Sequence, residues 1–205
     1  MKHILIFALI VIVPMTGFGD TKILFLGDSI TAGYGVDKPQ CYPALIEKRL
    51  TQSGITDIKL INAGISGSTS ASALSRLKWY KRAKPDVLFL ALGGNDGLRG
   101  LPIKQLKKNL SQTIQLALDD GIQVILAGMI MPPNYGQAYT NDFKNVFIQL
   151  AVEYPITFMP FLLKDVAGHA DLNLPDGIHP NQKGHQLIAE NVFPYITKYH
   201  DITSR

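Results

Sequence analysis

The sequence predicts an α/β domain in three layers, with helices on both faces of a five-stranded parallel sheet. Short apolar runs alternate along the chain with longer segments whose apolar residues recur at helical spacing. This alternation is typical of consecutive βαβ units. The runs are apolar on both faces, and such strands need helices on both sides of the sheet. The strands are expected at 22–27, 58–64, 86–94, 122–130 and 156–161.

Helical patterns fill the intervals between these strands and follow the last one. They are expected at 43–54, 70–83, 102–121, 139–154 and 181–199. Gly54 and Gly121 are suitable helix stops, and Pro102 suits a first turn. Leu74, Leu77 and Trp79 are expected to point inward from the second helix. Pro194 is expected to bend or shorten the last helix.

The composition is that of one globular domain. The chain has 205 residues, with 46% hydrophobic and 18% charged residues and a formal charge of +4. Its lysine-rich clusters, at 78–84 and 104–108, lie on predicted helices and are interpreted as solvated faces rather than a nucleic-acid surface. The positive charge also suits a transient contact with anionic membrane surfaces or acidic substrates.

Residues 1–19 have the pattern of a secretory signal peptide. Lys2 and His3 precede an apolar run at 4–13, and Pro14 and small residues follow it. The run is short for a bilayer span, so an uncleaved anchor is the less favoured interpretation, and a buried strand is less favoured still. We therefore expect a folded domain over 20–205 in a periplasmic or secreted protein. The lone Cys41 leaves no internal disulfide and is interpreted as a buried or half-buried structural thiol rather than a nucleophile.

Polar residues follow the predicted strands at the edge where parallel α/β sheets bind their ligands. The relevant segments are "GDSITAGYG" at 27–35, "NAGISGSTS" at 62–70, "GGNDGLRG" at 93–100 and "DGIHPN" at 176–181. A serine hydroxyl needs a base within hydrogen-bond reach, and that base needs a partner to fix its tautomer. Ser29, His179 and Asp176 supply a nucleophile, a base and an acid, and one tight turn can hold the last two.

The same loops offer donors for an oxyanion. These are the N–H groups of Ser29 and Gly67 and the side-chain amide of Asn95, and each preorganised donor is worth about 3–4 kcal/mol. Each segment alone is more often a turn or a helix cap. All four together, in order and at successive strand ends, favour acyl-transfer chemistry.

These four segments resemble the sequence blocks of the SGNH, or GDSL, hydrolases, and they cover nearly all of the chain after residue 20. The residues of these segments, together with "MPPNYG" at 131–136, are most similar to those of the exported thioesterase I/lysophospholipase and arylesterase group. The resemblance implies a flavodoxin-like fold without metal or cofactor. It also implies that Ser29 is the nucleophile, that Gly67 and Asn95 are oxyanion donors, and that His179 is the base with Asp176 as its partner.

Other histidines and acids receive structural interpretations. His185 lies on the final helix without an acid at matching spacing, and we expect it on the helix surface. Asp165 and His169 have metal-like spacing, but no third ligand is evident. His200 is expected to be solvated. Asp28 is expected to brace the turn at Ser29, and Asp96 to hold the loop of Asn95.

The function predicted from the sequence is a serine esterase acting on small-molecule or lipid esters and thioesters, as a monomer and without nucleic acid. An ordinary α/β-hydrolase is rejected, because Thr31 stands where its nucleophile motif has a second glycine. A carbohydrate acetylesterase and a non-catalytic lipid- or glycan-binding module stay open as alternatives. An acyl channel is expected at the ligand end of the sheet. Its candidate lining residues are Leu98, Leu101, Pro132 and Tyr135.

Overall fold

The computed structural model describes residues 20–200, so the signal peptide predicted at 1–19 lies outside the described residues. The strands and helices of that part follow one another in the predicted alternation. The strands are β1 (Thr21–Gly27), β2 (Ile58–Asn62), β3 (Val87–Ala91), β4 (Gln123–Ala127) and β5 (Thr157–Met159). The helices are α1 (Ser29–Ala32), α2 (Tyr42–Gln52), α3 (Ala73–Tyr80), α4 (Gly94–Leu98), α5 (Ile103–Asp119), α6 (Gln137–Glu153) and α7 (Gln182–Thr197).

All five strands form one parallel sheet in the order β2-β1-β3-β4-β5, which confirms the predicted fold class. Helices α2 and α7 pack together on one face, and α3, α5 and α6 pack in a row on the other. The chain leaves β1 for β2 and then returns past β1 to β3. This reversal creates a crevice at the carboxyl ends of β1 and β3, where open α/β sheets bind their ligands.

The central strands are apolar because both of their faces are covered. Every residue of β3 is buried, and so is every residue of β1 except Lys22. Phe25 of β1 stacks on Phe89 of β3, with ring centroids 4.8 Å apart. Strand β2 lies at the sheet edge and is only partly covered, which explains its polar Lys59 and Asn62.

Helix α5 shows how the helices are fixed to this sheet. Its buried residues recur at three- and four-residue intervals and form one stripe facing inward. They are Leu106, Leu110, Thr113, Ile114 and Ala117. Among residues 20–200, no helix has both the length and the apolar character required to cross a membrane.

Two details of the helices differ from the sequence prediction or refine it. Trp79 was expected to face inward, but it is 53% exposed and lies beneath the guanidinium of Arg82, 3.3 Å from its ring centroid. Helix α3 turns Ala73 and Leu77 inward instead, four residues apart, and Trp79 lies two residues off that stripe. Helix α7 is not shortened, because it continues through Pro194 to Thr197. Cys41 is buried as predicted, and its thiol donates to the carbonyl of Lys38.

Candidate active site

Ser29 stands on a tight connection between β1 and the single turn of α1. Asp28 caps this turn, since its Oδ1 accepts the N–H of Ile30 at 3.1 Å. Gly33 ends the turn in the left-handed region, at φ 79°, and donates its N–H to the carbonyl of Ser29 at 3.0 Å. Both ends of the turn are therefore fixed, and the 8% exposed Ser29 is held at the carboxyl end of β1. Asp28 braces the turn, as the sequence predicts.

His179 is brought to Ser29 by the loop that precedes α7. Its Nε2 lies 2.9 Å from the hydroxyl oxygen of Ser29, and its Nδ1 lies 2.7 Å from Oδ2 of Asp176. The peptide N–H of Leu174 donates to the carbonyl of His179 at 2.7 Å and fixes this turn from the opposite side. The three side chains predicted to work together therefore form one continuous hydrogen-bonded chain.

Asp176 is an ionised acceptor in this geometry. Its Oδ1 accepts the backbone N–H groups of His179, at 3.0 Å, and of Ile178, at 2.9 Å. These two bonds, followed by the bond to the His179 ring, lower the pKa of Asp176 to about 2. A carboxylate at Nδ1 favours the tautomer with its proton on Nδ1, so Nε2 is free to accept the proton of the Ser29 hydroxyl.

A buried acid, Asp28, and a half-buried arginine, Arg76, lie directly behind Ser29. Asp28 is 5% exposed, and burial raises its pKa to about 6, against the opposing effects of the Ile30 N–H and of nearby His179 and Arg76. Arg76 donates through Nη2 to the carbonyl of Gly27 at 3.0 Å and also to the carbonyl of Ala63. Arg76 thereby ties the end of β1 to the segment after β2. No motif in the sequence indicates this role.

Gly67 lies on the loop after β2 and Asn95 lies in the short helix α4 after β3, and hydrogen bonds join these two segments. The side-chain amide of Asn95 donates to the carbonyl of Ser68 at 3.0 Å, and Arg99 donates to the carbonyl of Gly67 at 3.0 Å. Gly67 has a φ of 77°, a conformation that favours glycine. These contacts bring the two predicted oxyanion donors onto adjoining segments beside the end of β1.

Asp96 fixes the position of both loops. Its carboxylate accepts the backbone N–H of Ser70 at 2.8 Å and the Ser70 hydroxyl at 2.5 Å. Asn109 of α5 donates to the same hydroxyl at 2.9 Å. Asp96 therefore holds the Asn95 loop, as predicted, through a buried contact that spans 26 residues of sequence.

The proposed acyl-channel residues lie in the segments that follow β3 and β4, and Leu98 among them is the last residue of α4. The Tyr135 hydroxyl donates to the carbonyl of Leu98 at 3.1 Å, which joins these two segments. Leu101 and Tyr135 are 37% and 36% exposed, and Pro132 is exposed as well. The structure thus brings Leu98 and Tyr135 together. Leu101 and Pro132 belong to the same two segments.

His185 is buried, so its predicted place on the helix surface is wrong. Its side chain is fully buried, Nδ1 accepts the N–H of Tyr42 at 3.2 Å, and Nε2 has no hydrogen-bond partner within residues 20–200. Burial lowers the pKa of His185 to about 4. The spacing of Ile188, Ala189 and Val192 contained a signal for this, because His185 falls on the same apolar stripe.

Two other histidines were also singled out in the sequence. His200 is exposed, as expected, and its Nδ1 lies 2.7 Å from Oδ1 of Asp57. His169 is exposed, and within the described part of the chain no group of three or more His, Cys, Asp or Glu side chains could hold a metal ion.

The parallel sheet with a Ser–His–Asp chain at its carboxyl edge defines a serine hydrolase of the α/β/α class. The sequence model of the GDSL-like lipase/acylhydrolase family matches residues 25–187. The chain belongs to this family, and it is a carboxylic ester hydrolase of the SGNH type.

Three members of the family illustrate which proteins this chain is similar to. Esterase TesA of Pseudomonas aeruginosa is 41% identical over 84% of this chain and 86% of its own length. Thioesterase 1/protease 1/lysophospholipase L1 of Escherichia coli is 32% identical over 90% of this chain and 87% of its own. The crystal structure of the psychrotrophic esterase EstA from Pseudoalteromonas sp., inhibited by monoethylphosphonate, superposes with a TM-score of 0.83 at 35% identity. That match covers 88% of this chain and 98% of EstA.

Proposed function

We propose that this protein hydrolyses carboxylic esters and thioesters through an acyl-enzyme formed on Ser29. The observation that carries the proposal is the continuous contact from the Ser29 hydroxyl through the His179 ring to Asp176, at 2.9 and 2.7 Å. Neither a binding module nor a structural protein requires a base directed at a serine hydroxyl.

The proposed reaction begins when the Ser29 oxygen attacks the ester carbonyl and its proton moves to Nε2 of His179. Asp176 stabilises the imidazolium that forms and holds its ring in place. When the tetrahedral intermediate collapses, the carbon–oxygen bond to the alcohol breaks, and the proton on Nε2 passes to the departing oxygen. Water then repeats the attack on the acyl-enzyme, which releases the carboxylic acid and restores the Ser29 hydroxyl.

The negative charge on the substrate oxygen needs donors that are already in place. We assign this role to the N–H groups of Ser29 and Gly67 and to the Asn95 amide. The contacts from Asn95 to Ser68 and from Arg99 to Gly67 support the assignment, because they fix both loops before substrate arrives. Preorganised donors of this kind each contribute about 3–4 kcal/mol to the stability of the transition state.

The acyl group is proposed to lie along Leu98, Leu101, Pro132 and Tyr135. The exposure of Leu101, Pro132 and Tyr135 and the hydrogen bond from Tyr135 to the half-buried Leu98 support this assignment. An apolar channel of this kind favours the long acyl groups of lysophospholipids and fatty acyl thioesters over the acetyl groups of carbohydrate esters, which need only a small acyl pocket. The name of the Escherichia coli relative, which includes both thioesterase and lysophospholipase, points to the same substrates.

The proposal also includes export to the periplasm or the medium and action as a monomer that contacts membrane surfaces only transiently. The signal-like pattern of residues 1–19 supports export.

A hydrolysis panel tests the substrate class. Nitrophenyl esters from acetyl to palmitoyl, a lysophospholipid and an acyl-CoA are assayed with the native protein and with Leu98→Ala/Leu101→Ala. We expect the native protein to prefer medium or long acyl chains and the double variant to lose that preference by about tenfold. An unchanged preference would contradict the channel. A native preference confined to acetyl esters would favour the acetylesterase alternative.

A further inference from the structure

Exposed apolar side chains concentrate around the candidate active site. Eight large apolar side chains are exposed among residues 20–200, and five of them lie on loops at the carboxyl edge of the sheet. These five are Tyr34, Ile65, Leu101, Tyr135 and Ile178. The other three are on α3 and α6. Large apolar side chains that are exposed at one edge of a domain are typical of a binding surface when they adjoin a functional site.

Two of the five side chains adjoin His179 and have no place in the acyl channel. The ring of Tyr34 lies against the His179 ring, with centroids 4.6 Å apart and planes inclined at 45°. Tyr34 is nevertheless 53% exposed, so much of its ring is free to contact another molecule. Ile178 immediately precedes His179 and is 42% exposed.

The backbone of both residues is fixed. The N–H of Tyr34 donates to the carbonyl of Ser29 at 3.0 Å. The N–H of Ile178 donates to Oδ1 of Asp176 at 2.9 Å. The points from which both side chains extend are therefore fixed relative to the serine and the imidazole, as a preformed binding surface requires.

The strand order separates this surface from the acyl channel. Leu98 and Tyr135 follow β3 and β4, on one side of the end of β1. Tyr34 lies in the connection from β1 to β2, which occupies the other side. The loop of His179 adjoins that connection, since a Cβ added to Gly35 would come within 2.3 Å of the Leu174 side chain.

We propose that Tyr34 and Ile178 form a binding subsite for the leaving group of the ester, and that this subsite selects apolar and especially aromatic alcohols or thiols. The inference rests on the proposed function. Because Nε2 of His179 must pass its proton to the departing oxygen, that oxygen lies within hydrogen-bond reach of the imidazole. The group attached to the oxygen then meets the side chains beside the imidazole, which are Tyr34 and Ile178.

The chemistry of the two side chains determines what the subsite accepts. An exposed tyrosine ring offers an aromatic face for stacking or edge-to-face contact, and isoleucine offers an aliphatic wall. A benzyl or phenyl group gains contact on this surface, whereas a methyl group is too small to reach it.

The test compares two alcohols on one acyl group. Benzyl acetate and methyl acetate share the acyl part, and their alcohols have similar acidity, so the ratio of their kcat/KM values reports contact with the leaving group. We expect Tyr34→Ala to lower the benzyl-to-methyl ratio by about tenfold, and Tyr34→Phe to preserve it. Trp79→Ala removes an equally exposed aromatic side chain from α3 and is expected to leave the ratio unchanged.

A second measurement separates leaving-group binding from acyl binding and from folding. Benzyl alcohol should inhibit the native protein, and its inhibition constant should rise about tenfold in Tyr34→Ala. Leu98→Ala should change the ratio of the kcat/KM values for methyl octanoate and methyl acetate. It should leave the ratio for benzyl acetate and methyl acetate unchanged. If Tyr34→Ala slows both acetates equally, Tyr34 only positions His179 and the subsite is refuted. Full turnover by Ser29→Ala would instead refute the proposed function itself.

Discussion

The buried histidine of α7 makes acid stability a sharp test of the structure. His185 is fully buried, and burial lowers its pKa from 6.5 to about 4. Below pH 6.5 the unfolded chain therefore takes up a proton that the folded chain does not bind. Stability falls as the pH decreases from about 6.5 to about 4, because proton binding favours the unfolded state.

The magnitude follows from the size of the pKa shift. One pKa unit corresponds to about 1.4 kcal/mol, so His185 is expected to reduce the free energy of unfolding by about 3 kcal/mol at pH 4 relative to pH 7. His185→Asn removes this titration while its amide oxygen can still accept the Tyr42 N–H. The smaller side chain adds a destabilisation that does not depend on pH.

Urea unfolding at pH values between 4 and 7 measures this effect. The free energy of unfolding of the native protein minus that of His185→Asn is expected to fall by about 3 kcal/mol as the pH is lowered from 7 to 4. His169→Asn serves as a matched control for the same change of residue type at an exposed position. A difference curve for His185→Asn that does not change with pH would refute the burial of His185.

Three further predictions concern Asp28, Gly64 and Asp176. Burial raises the pKa of Asp28 from 3.8 to about 6, so ionisation lowers native stability as the pH rises between these values. The free energy of unfolding of Asp28→Asn, measured in urea, should therefore rise by up to about 3 kcal/mol relative to that of the native protein as the pH is raised from 4 to 7. A difference that stays constant with pH would contradict this. Gly64→Ala places a Cβ 2.2 Å from the backbone nitrogen of Ala32, so we expect α1 to shift. The free energy of unfolding should fall by about 1–3 kcal/mol, and esterase activity should drop strongly. An unaltered urea midpoint and rate would show that the contact is absent. Asp176→Asn should reduce kcat by up to about 10⁴-fold on a nitrophenyl ester. Because the pKa of Asp176 is about 2, the acid limb of the native pH–rate profile should not originate from this residue. Native-like turnover would exclude Asp176 as the partner of His179.

The strand pattern was predictable because a buried parallel sheet imposes a simple rule on sequence. Strand β3 is buried on both faces and is therefore a continuous apolar run. The position of Ser29 was predictable for a related reason, since a polar residue directly after such a run must lie at the carboxyl edge of the sheet.

Contacts between segments that are distant in sequence could not be predicted in the same way. Arg76 reaches the carbonyl of Gly27 across 49 residues, and Ser70 meets Asp96 across 26. Such pairs depend on the exact packing of α3 and the loops, which hydrophobic spacing does not specify. Tyr34 belongs to the first sequence block, yet its contact with His179 follows only from the position of a loop 145 residues further along the chain.

The two misassigned side chains have opposite causes. His185 is polar by residue type, so it was expected at the surface, but it lies on the buried stripe of α7 and its Nδ1 accepts an N–H at the start of α2. Trp79 is apolar by residue type, so it was expected in the core, but its position on α3 turns it outward beneath Arg82. In both cases position on the helix, not residue type, determined burial.

Reaction with a fluorophosphonate tests the central claim most directly, because this reagent phosphonylates a serine only when a neighbouring base has activated it. The native protein should incorporate one phosphonyl group, and peptide mapping should locate it on Ser29. Labelling should disappear in Ser29→Ala and fall sharply in His179→Ala, together with ester hydrolysis. An unlabelled native protein, or Ser29→Ala that still turns over esters at the native rate, would contradict the account.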